Sequence, residues 1–259
     1  MTDIPIDDRG FTLGHGLFET VLWADGKLAD WEDHLARLER GCGTLRLPTP
    51  PRDQLHKAAL AALDRAGSPT RAAVRLNWSA GSGARGLDPP SDPQPRLTAS
   101  AALLGPPPGP ARLVTAGVRR NDRSPASRLK TLSYLDNVIA RAEAREAGAD
   151  EALMLNTVGE VACAAAANLF WVRHDEVFTP DLACGVLDGI MRRQAIAACH
   201  ALGVPVQEVY ANLERIRDAP MFLTNSLTGV RPVASLDGRD LPGSPLIGAI
   251  AKAVRQASK

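Results

Sequence analysis

Five lysines stand in the chain, Lys27, Lys57, Lys130, Lys252 and Lys259, against a basic complement made mostly of arginine. Lys130 lies in the stretch Ser127-Arg128-Leu129-Lys130-Thr131-Leu132-Ser133-Tyr134-Leu135, flanked by leucines and followed at once by a helical pattern. An amine held in such a partly dry segment stays neutral and nucleophilic toward an aldehyde, whereas a solvated loop lysine would do nothing. Three further segments could hold an anion. Leu187-Asp188-Gly189-Ile190-Met191-Arg192 opens a helix with a turn glycine, so the amides of Ile190 and Met191 are candidates for a phosphate at the helix start; an ordinary Asp-capped helix is the alternative. Thr224-Asn225-Ser226-Leu227-Thr228-Gly229 is a hydroxyl-rich turn that can offer the Ser226 hydroxyl and the Leu227 amide. Arg37 sits between Leu35 and Leu38 on a helix, where its guanidinium either grips a phosphate in two-pronged fashion or snorkels over Leu38.

Two more positions are candidates for substrate contact. Gly81-Ser82-Gly83-Ala84-Arg85-Gly86 is glycine-rich, but it follows a strand and runs into Asp88-Pro89-Pro90 rather than a helix, which rejects a dinucleotide fingerprint and a P-loop. It reads as a flexible loop presenting Arg85 to a carboxylate, or as a plain hairpin. His15 is flanked by glycines that expose backbone, in a turn where a histidine is either structural or functional.

The elements that must carry these residues follow from periodicity. Gly105-Pro106-Pro107-Pro108-Gly109-Pro110 can be neither helix nor interior strand and marks a boundary between a small N-terminal α+β lobe, residues 1–106, and a larger C-terminal mixed-sheet lobe, residues 111–259, carrying Lys130. In the first lobe the pattern predicts a strand over Leu17–Trp23, a turn at Asp25-Gly26, helices over Trp31–Leu45 and Gln54–Ala66, and a strand over Ala72–Trp78. In the second it predicts strands over Arg112–Val118, Glu151–Asn156, Ala166–Arg173, Glu176–Thr179, Met221–Thr224 and Arg231–Ser235. Helices are predicted over Asp136–Ala147, Gly189–Leu202 and Pro245–Ala257, with Leu135, Val138, Ile139 and Ala142 sharing a face of the first. The fold class is α/β, mixed α+β.

Composition bounds the function. With 45% hydrophobic residues, 23% charged and a formal net charge of +1, nothing resembles a nucleic-acid footprint or a polybasic membrane anchor. No run reaches a membrane span, and the opening residues lack a signal-peptide pattern, so a cytoplasmic protein acting on a small molecule is the expectation. Cys42, Cys163, Cys184 and Cys199 have no metal-ligand spacing, so no metal is expected and buried packing is their predicted role.

The order of these segments resembles the class IV (fold type IV) pyridoxal-phosphate enzymes, a family that includes branched-chain and D-amino acid aminotransferases. The resemblance rests on Asp8-Arg9-Gly10-Phe11, Gly14-His15-Gly16-Leu17-Phe18-Glu19-Thr20, His34-Leu35-Ala36-Arg37-Leu38, Leu129 to Leu135, Ala166-Ala167-Asn168-Leu169-Phe170-Trp171, Gly189-Ile190-Met191-Arg192 and Asn225-Ser226-Leu227. It implies the two-lobed D-amino acid aminotransferase-like fold, pyridoxal 5′-phosphate as cofactor and a homodimer whose partner helps close the site. Carried over residue by residue, Lys130 would hold the cofactor as a Schiff base and move the substrate's α-proton. Arg37, the Ile190 and Met191 amides, Ser226 and Leu227 would hold the phosphate, and Tyr134 would approach the ring's 3′-oxygen. His15, Arg85 and Asn225 would face the substrate. Within the family, Lys-Thr-Leu-Ser-Tyr-Leu, Gly-Ile-Met-Arg and Asn before Ser226 are most similar to aminodeoxychorismate lyases, which implies release of pyruvate from an aminated chorismate to leave 4-aminobenzoate for folate synthesis. An aminotransferase, or a member that binds without turnover, are the alternatives.

Three positions depart from the family's pattern. Cys163 stands where an acidic residue pairs with the pyridine nitrogen, five residues before Asn168, and Glu160, three residues earlier, reaches that place only with a register change. His15 replaces an aspartate between glycines, and Ala80 replaces an arginine. A thiol in place of the carboxylate leaves the ring nitrogen largely neutral and the ring a weaker electron sink, which disfavours amino transfer relative to an elimination.

Overall fold

The computed structural model describes residues 3–257, and its contacts divide the chain into two compact units. One runs to Pro106 and takes in Leu129–Ser133; the other holds Pro107–Arg128 and the chain from Tyr134 onward. The break thus falls inside the proline run. Lys130, however, packs with the N-terminal unit, which differs from its expected place in the C-terminal lobe, for a reason that lies in the edge of a strand.

The N-terminal unit is built from α1 (Arg9–Leu13), β1 (Gly16–Ala24), β2 (Lys27–Leu28), α2 (Trp31–Leu45), α3 (Arg52–Arg65), β3 (Arg71–Ser79) and β4 (Arg96–Leu103), with the strands in the order β2-β1-β3-β4. All neighbours are antiparallel. Asp25 and Gly26 both take positive φ, 53° and 73°, and close the β1–β2 hairpin at Ala24 and Lys27. Alternation sends Leu17 of β1 and Val74, Leu76 and Trp78 of β3 to one face, where Leu35, Leu38 and Cys42 of α2 and Leu55, Ala59 and Leu63 of α3 cover them. Phe18, Arg75 and Asn77 alternate to the opposite face. β2 pairs only with Trp23 and Ala24, so the Gly16–Phe18 edge of β1 is open on that side. The segment Leu129–Ser133 fills it: the Phe18 amide donates to the Lys130 carbonyl at 2.8 Å, the Leu132 amide to the Gly16 carbonyl at 2.9 Å, and Leu17 and Thr131 form an antiparallel bridge. Backbone pairing of an otherwise exposed edge is what binds Lys130 to this unit.

The C-terminal unit contains β5 (Ala111–Thr115), α4 (Leu135–Glu146), β6 (Glu151–Leu155), β7 (Val161–Ala164), β8 (Asn168–Arg173), β9 (Glu176–Pro180), α5 (Ile190–Ala201), β10 (Val206–Val209), β11 (Met221–Asn225), β12 (Gly229–Leu236), β13 (Arg239–Asp240) and α6 (Pro245–Ala257). Its mixed sheet runs β10-β9-β8-β11-β12-β5-β6-β7 and curls until Ala164 of β7 bridges Ala167 just before β8. Leu113, Leu153, Leu169, Met221, Leu223 and Val233 fill the inside of the curl. Outside it, α5 and α6 cover Phe170 and Phe222, whose rings stack at 4.8 Å, and α4 covers Ala152, Met154, Ala162 and Cys163. β7 carries one extra residue opposite β6: Met154 pairs with Cys163 and Leu155 with Val161, leaving Ala162 as a bulge.

The strands β4, β7, β10 and β13 and the short helix α1 do not follow from periodicity. α4 also turns its apolar stripe outward. Asn137, Ala140 and Ala144 face the sheet, whereas Leu135, Val138 and Ile139 are 69%, 60% and 42% exposed. The small side chains let the helix lie close to the equally small residues of β6 and β7. All four cysteines are free and buried.

Candidate active site

In the N-terminal unit, the Lys130 amine lies 4.2 Å from the centroid of the Phe18 ring, and the Arg75 guanidinium lies 3.8 Å from the same centroid. The ring's negative face lies against both cationic side chains. On the opposite face of β1, Glu19 is buried, 2% exposed. Its carboxylate accepts from Arg37 Nε at 2.8 Å and Nη2 at 2.6 Å and lies 2.7 Å from His34 Nδ1. Burial pushes this carboxyl up, but the Arg37 charge and its two bonds, followed by the His34 contact, outweigh it and hold the group at about 2. Since an ionised carboxylate only accepts, His34 Nδ1 is the donor, and the buried His34 Nε2 has no partner among the described residues. Arg37 is thereby aimed along a fixed direction with its Glu19-facing edge occupied. Glu19 and His34 were not singled out from sequence as site residues; an acidic residue at an inward strand position was the available signal.

His15 is half-buried, and its Nδ1 accepts from Arg9 Nε at 3.3 Å. Burial first, and then the charge of Arg9, lower the His15 pKa, while a hydrogen bond to the Leu45 backbone opposes them, so both faces of the ring are engaged by the protein. Arg9 itself is 3% exposed and donates through Nη1 to the Gly86 carbonyl at 3.2 Å and through Nη2 to that of Leu87 at 2.9 Å. One guanidinium therefore ties His15 to the end of the glycine-rich loop, on which Arg85 is exposed. Beside this cluster a cavity of about 300 Å³ is lined by Asp8, Phe11, Arg75, Asn77, Arg96 and Leu132 among others. Of its two arginines, Arg96 lies 3.6 Å from the Asp8 carboxylate, so the lining carries one net positive charge that suits an anionic group, and Leu132 is two residues beyond Lys130.

In the C-terminal unit, α5 begins at Gly189, which gives no side-chain cap, so Asp188 does not close the helix as an ordinary N-cap would. It pairs instead with Arg193 at 2.9 Å. The first-turn amides, those of Ile190 and Met191 included, are left to whatever anion arrives. A Cβ on Gly189 would meet Asn168 Oδ1 at 2.0 Å, so the glycine is required by close approach. Asn168 holds the entry in place through Nδ2, which donates to the Leu187 carbonyl at 2.9 Å. Asn168 also pairs in register with Thr224. The start of α5 and the turn after β11 are thus brought side by side at the start of β8.

In that turn Asn225 Oδ1 accepts from the amides of Leu227 and Thr228 at 3.0 and 2.9 Å, while its Nδ2 donates to the Ala166 carbonyl. Asn225 therefore shapes the turn, and the Leu227 amide points at Asn225 Oδ1. Ser226 is half-buried at the apex. The buried Thr224 hydroxyl has no partner among the described residues, a gap that a hydrogen-bonding ligand at this turn would close. Arg192 spans from α5 to the Pro180 carbonyl and Glu208, a bracing role. Tyr134 is half-buried at the N-cap position of α4, where it supplies no side-chain cap bond.

Cys163 lies in a neutral wall of alanines, with Met154 and Cys184 nearby. Burial raises its thiol pKa; the charge of Arg120 opposes this and that of Glu151 adds to it. Glu160 is turned elsewhere: its carboxylate accepts from Asn156 Nδ2 at 2.9 Å and lies 3.8 Å from Cys184 Sγ. The bulge at Ala162 does not bring it to the Cys163 position.

The N-terminal unit thus carries a lysine amine beside an aromatic ring, and the C-terminal unit an uncapped helix start beside a hydroxyl-bearing turn, the one suited to an aldehyde and the other to a phosphate. The comparisons with known proteins agree. The family model described as amino-transferase class IV matches residues 16–236. Aminodeoxychorismate lyase of Vibrio harveyi is 31% identical over 242 residues, covering 91% of this chain and 88% of that protein. Among solved structures, a candidate 4-amino-4-deoxychorismate lyase of Legionella pneumophila is 30% identical with a TM-score of 0.90, covering 99% of this chain and 96% of that one. A branched-chain aminotransferase of Thermoproteus uzoniensis, solved with norvaline, is 26% identical with the same TM-score of 0.90, covering 98% and 89%. The chain belongs to the class IV aminotransferase family of pyridoxal-phosphate-dependent enzymes, with that family's mixed α/β fold. No group of three or more His, Cys, Asp or Glu able to hold a metal occurs among the described residues, and no described helix is long and apolar enough to cross a membrane.

Proposed function

We propose that this chain is a lyase that converts 4-amino-4-deoxychorismate to 4-aminobenzoate and pyruvate, a step of folate synthesis. The observation that carries the reading is the placement of Lys130 on the segment that also lines the two-arginine cavity, because the substrate bears two carboxylates. The lyase relatives, at 31% and 30% identity over nearly the whole chain, support it.

The cofactor, when bound, supplies an aldehyde that takes the substrate's amine and a ring that withdraws electrons from the carbon bearing it. The remaining work falls to the chain. Arg37, braced by Glu19, together with the Ile190 and Met191 amides, Ser226 and the Thr224 hydroxyl, would hold the phosphate, and Leu227, its amide turned to Asn225 Oδ1, would shape the turn beside it. Tyr134 would face the 3′-oxygen and Cys163 the ring nitrogen. Arg85, on the loop anchored by Arg9, would meet the substrate's carboxylates with neutral His15 beside it, and Asn225 would keep the phosphate turn in shape. Lys130 Nζ takes the proton from the amine-bearing ring carbon. That electron pair completes the aromatic ring as the C–O bond to the enolpyruvyl group breaks, and the departing enolpyruvate gains a proton to become pyruvate.

The working form is proposed to be a cytoplasmic homodimer. The exposed Leu135, Val138 and Ile139 on α4, and Ile4, Ile6, Phe11 and Leu13 in the N-terminal unit, supply apolar surface for a second copy to cover. The test is direct. Pyridoxal phosphate added to the purified protein should give absorption near the visible edge, absent in Lys130→Ala, and substrate should yield pyruvate at a rate matching 4-aminobenzoate. Keto acid formed from an amino donor with no pyruvate would make the chain an aminotransferase, and a protein that takes up no cofactor would be neither.

A further inference from the structure

The surroundings of Cys163 differ from what a protonated pyridine ring requires. Arg120, 6% exposed, donates to the Gly185 carbonyl and to Asn137 Oδ1, both at 3.0 Å, and to the Ser127 carbonyl, so its hydrogen bonds all go to neutral oxygens. Asn137 passes the bracing on, donating to the Ala165 carbonyl at 2.8 Å, two residues beyond Cys163. The acidic groups of this region are occupied. Glu151 lies 2.9 Å from Arg141 Nη1 and accepts from the Ala152 amide, and Glu160 is bound to Asn156. The bulge at Ala162 adds a second small apolar side chain to the same wall. What remains at Cys163 is a neutral thiol, a weak donor and weak acceptor, in the field of a fixed guanidinium with no carboxylate partner.

We propose, resting on the reading that the chain holds pyridoxal phosphate, that it keeps the cofactor's ring nitrogen unprotonated, with Cys163 in contact and Arg120 fixed behind it. An additional positive charge on that nitrogen would have no acceptor and would be repelled by Arg120 more than it is attracted by Glu151, whose charge is already met by Arg141. The chemical consequence is selective. Amino transfer must store an electron pair in the ring until a proton returns at another carbon, whereas elimination passes the pair straight into a breaking C–O bond. A ring without its proton therefore disfavours the first far more than the second, and the substrate class is amines with a leaving group next to the amine-bearing carbon. Cys163 and Arg120 thereby become determinants of reaction type.

The experiment is nitrogen NMR of the protein loaded with pyridoxal phosphate labelled with 15N in the ring, in the wild type, Cys163→Ala and Cys163→Glu. The expected result is a neutral pyridine resonance in the first two and a pyridinium resonance in Cys163→Glu. In that variant the amino-donor half-reaction, followed spectroscopically, should rise at least about tenfold, equivalent to 1.4 kcal/mol. A pyridinium resonance in the loaded wild type overturns the proposal by itself, whether or not Cys163→Glu folds. A loaded Cys163→Glu protein whose resonance stays neutral also overturns it. Failure of the wild type to take up the labelled cofactor overturns the enzyme reading and this proposal together, and is distinguished by the unbound signal.

Discussion

Arg37 and Arg120 are both held by networks that leave little of the guanidinium to water, yet their partners are opposite in kind. Arg37 meets an ionised carboxylate with two bonds, and His34 backs that carboxylate from the other side. Arg120 meets only carbonyl and amide oxygens. In the first case the charges cancel within the protein and what is gained is direction: Arg37 cannot swing away from the place it serves. In the second the positive field remains, and anything bound beside Cys163 must be compatible with it. One fold thus uses arginine once as a positioned anchor and once as an uncompensated charge.

The largest expected effect breaks the compensated side. Glu19→Gln leaves Arg37 without its anion in a buried setting and should cost roughly 3–5 kcal/mol in urea unfolding. Cys163→Ala, which removes a neutral side chain from an alanine wall, should cost only about 1 kcal/mol. Equal losses would mean that the two networks are not different in kind. The pH dependence sharpens this. The Glu19 carboxyl is held at about 2 in the folded chain against an ordinary 4.5, a depressed value. Its contribution is therefore full above about pH 4.5 and is lost as pH falls from there toward 2. Glu19→Gln should lose that part of the wild type's acid sensitivity, and an unchanged slope over this window would show that other carboxylates carry it.

Arg9 supplies an intermediate effect, since it too bonds only carbonyls and His15 but does so to hold a loop. Arg9→Lys keeps the charge and loses the fork, so the bonds to Gly86 and Leu87 cannot both be kept. Amide exchange over residues 81–87 should quicken by the equivalent of about 1–3 kcal/mol, with KM rising more than kcat falls. Exchange as slow as in the wild type would show that the backbone contacts of the loop suffice.

These comparisons also show which features were legible in the sequence. Lys130, the glycine before α5 and the Asn225–Gly229 turn announce themselves by residues adjacent in the chain, and the major helices by their period. Pairings across long separations did not show: Arg9 with Leu87, Glu19 with His34 and Arg37, and Arg120 with Gly185 all depend on which elements lie together. Periodicity finds that Leu135, Val138 and Ile139 share a face but does not say whether that face looks in or out. Here the alanines of β6 and β7 select the small-residue face of α4. Nor does alternation register an extra residue such as Ala162, although the bulge decides what surrounds Cys163.

The smaller effects lie at the turn after β11 and the start of α5, where the comparison becomes one between backbone and side chain. Gly189→Ala must displace Asn168 Oδ1, which a Cβ would meet at 2.0 Å, and so shifts both the α5 amides and the β8 start that supports Thr224. Cofactor affinity should fall about tenfold, or 1.4 kcal/mol. Ser226→Ala removes one hydroxyl from a turn whose shape is kept by Asn225 Oδ1 and three donors, the amides of Leu227 and Thr228 and the Thr228 hydroxyl. The loss should be about 1 kcal/mol, some fivefold in cofactor affinity, measured by equilibrium titration with pyridoxal phosphate. A Ser226 effect larger than the Gly189 effect would mean that hydroxyls, and not the helix amides, hold the phosphate.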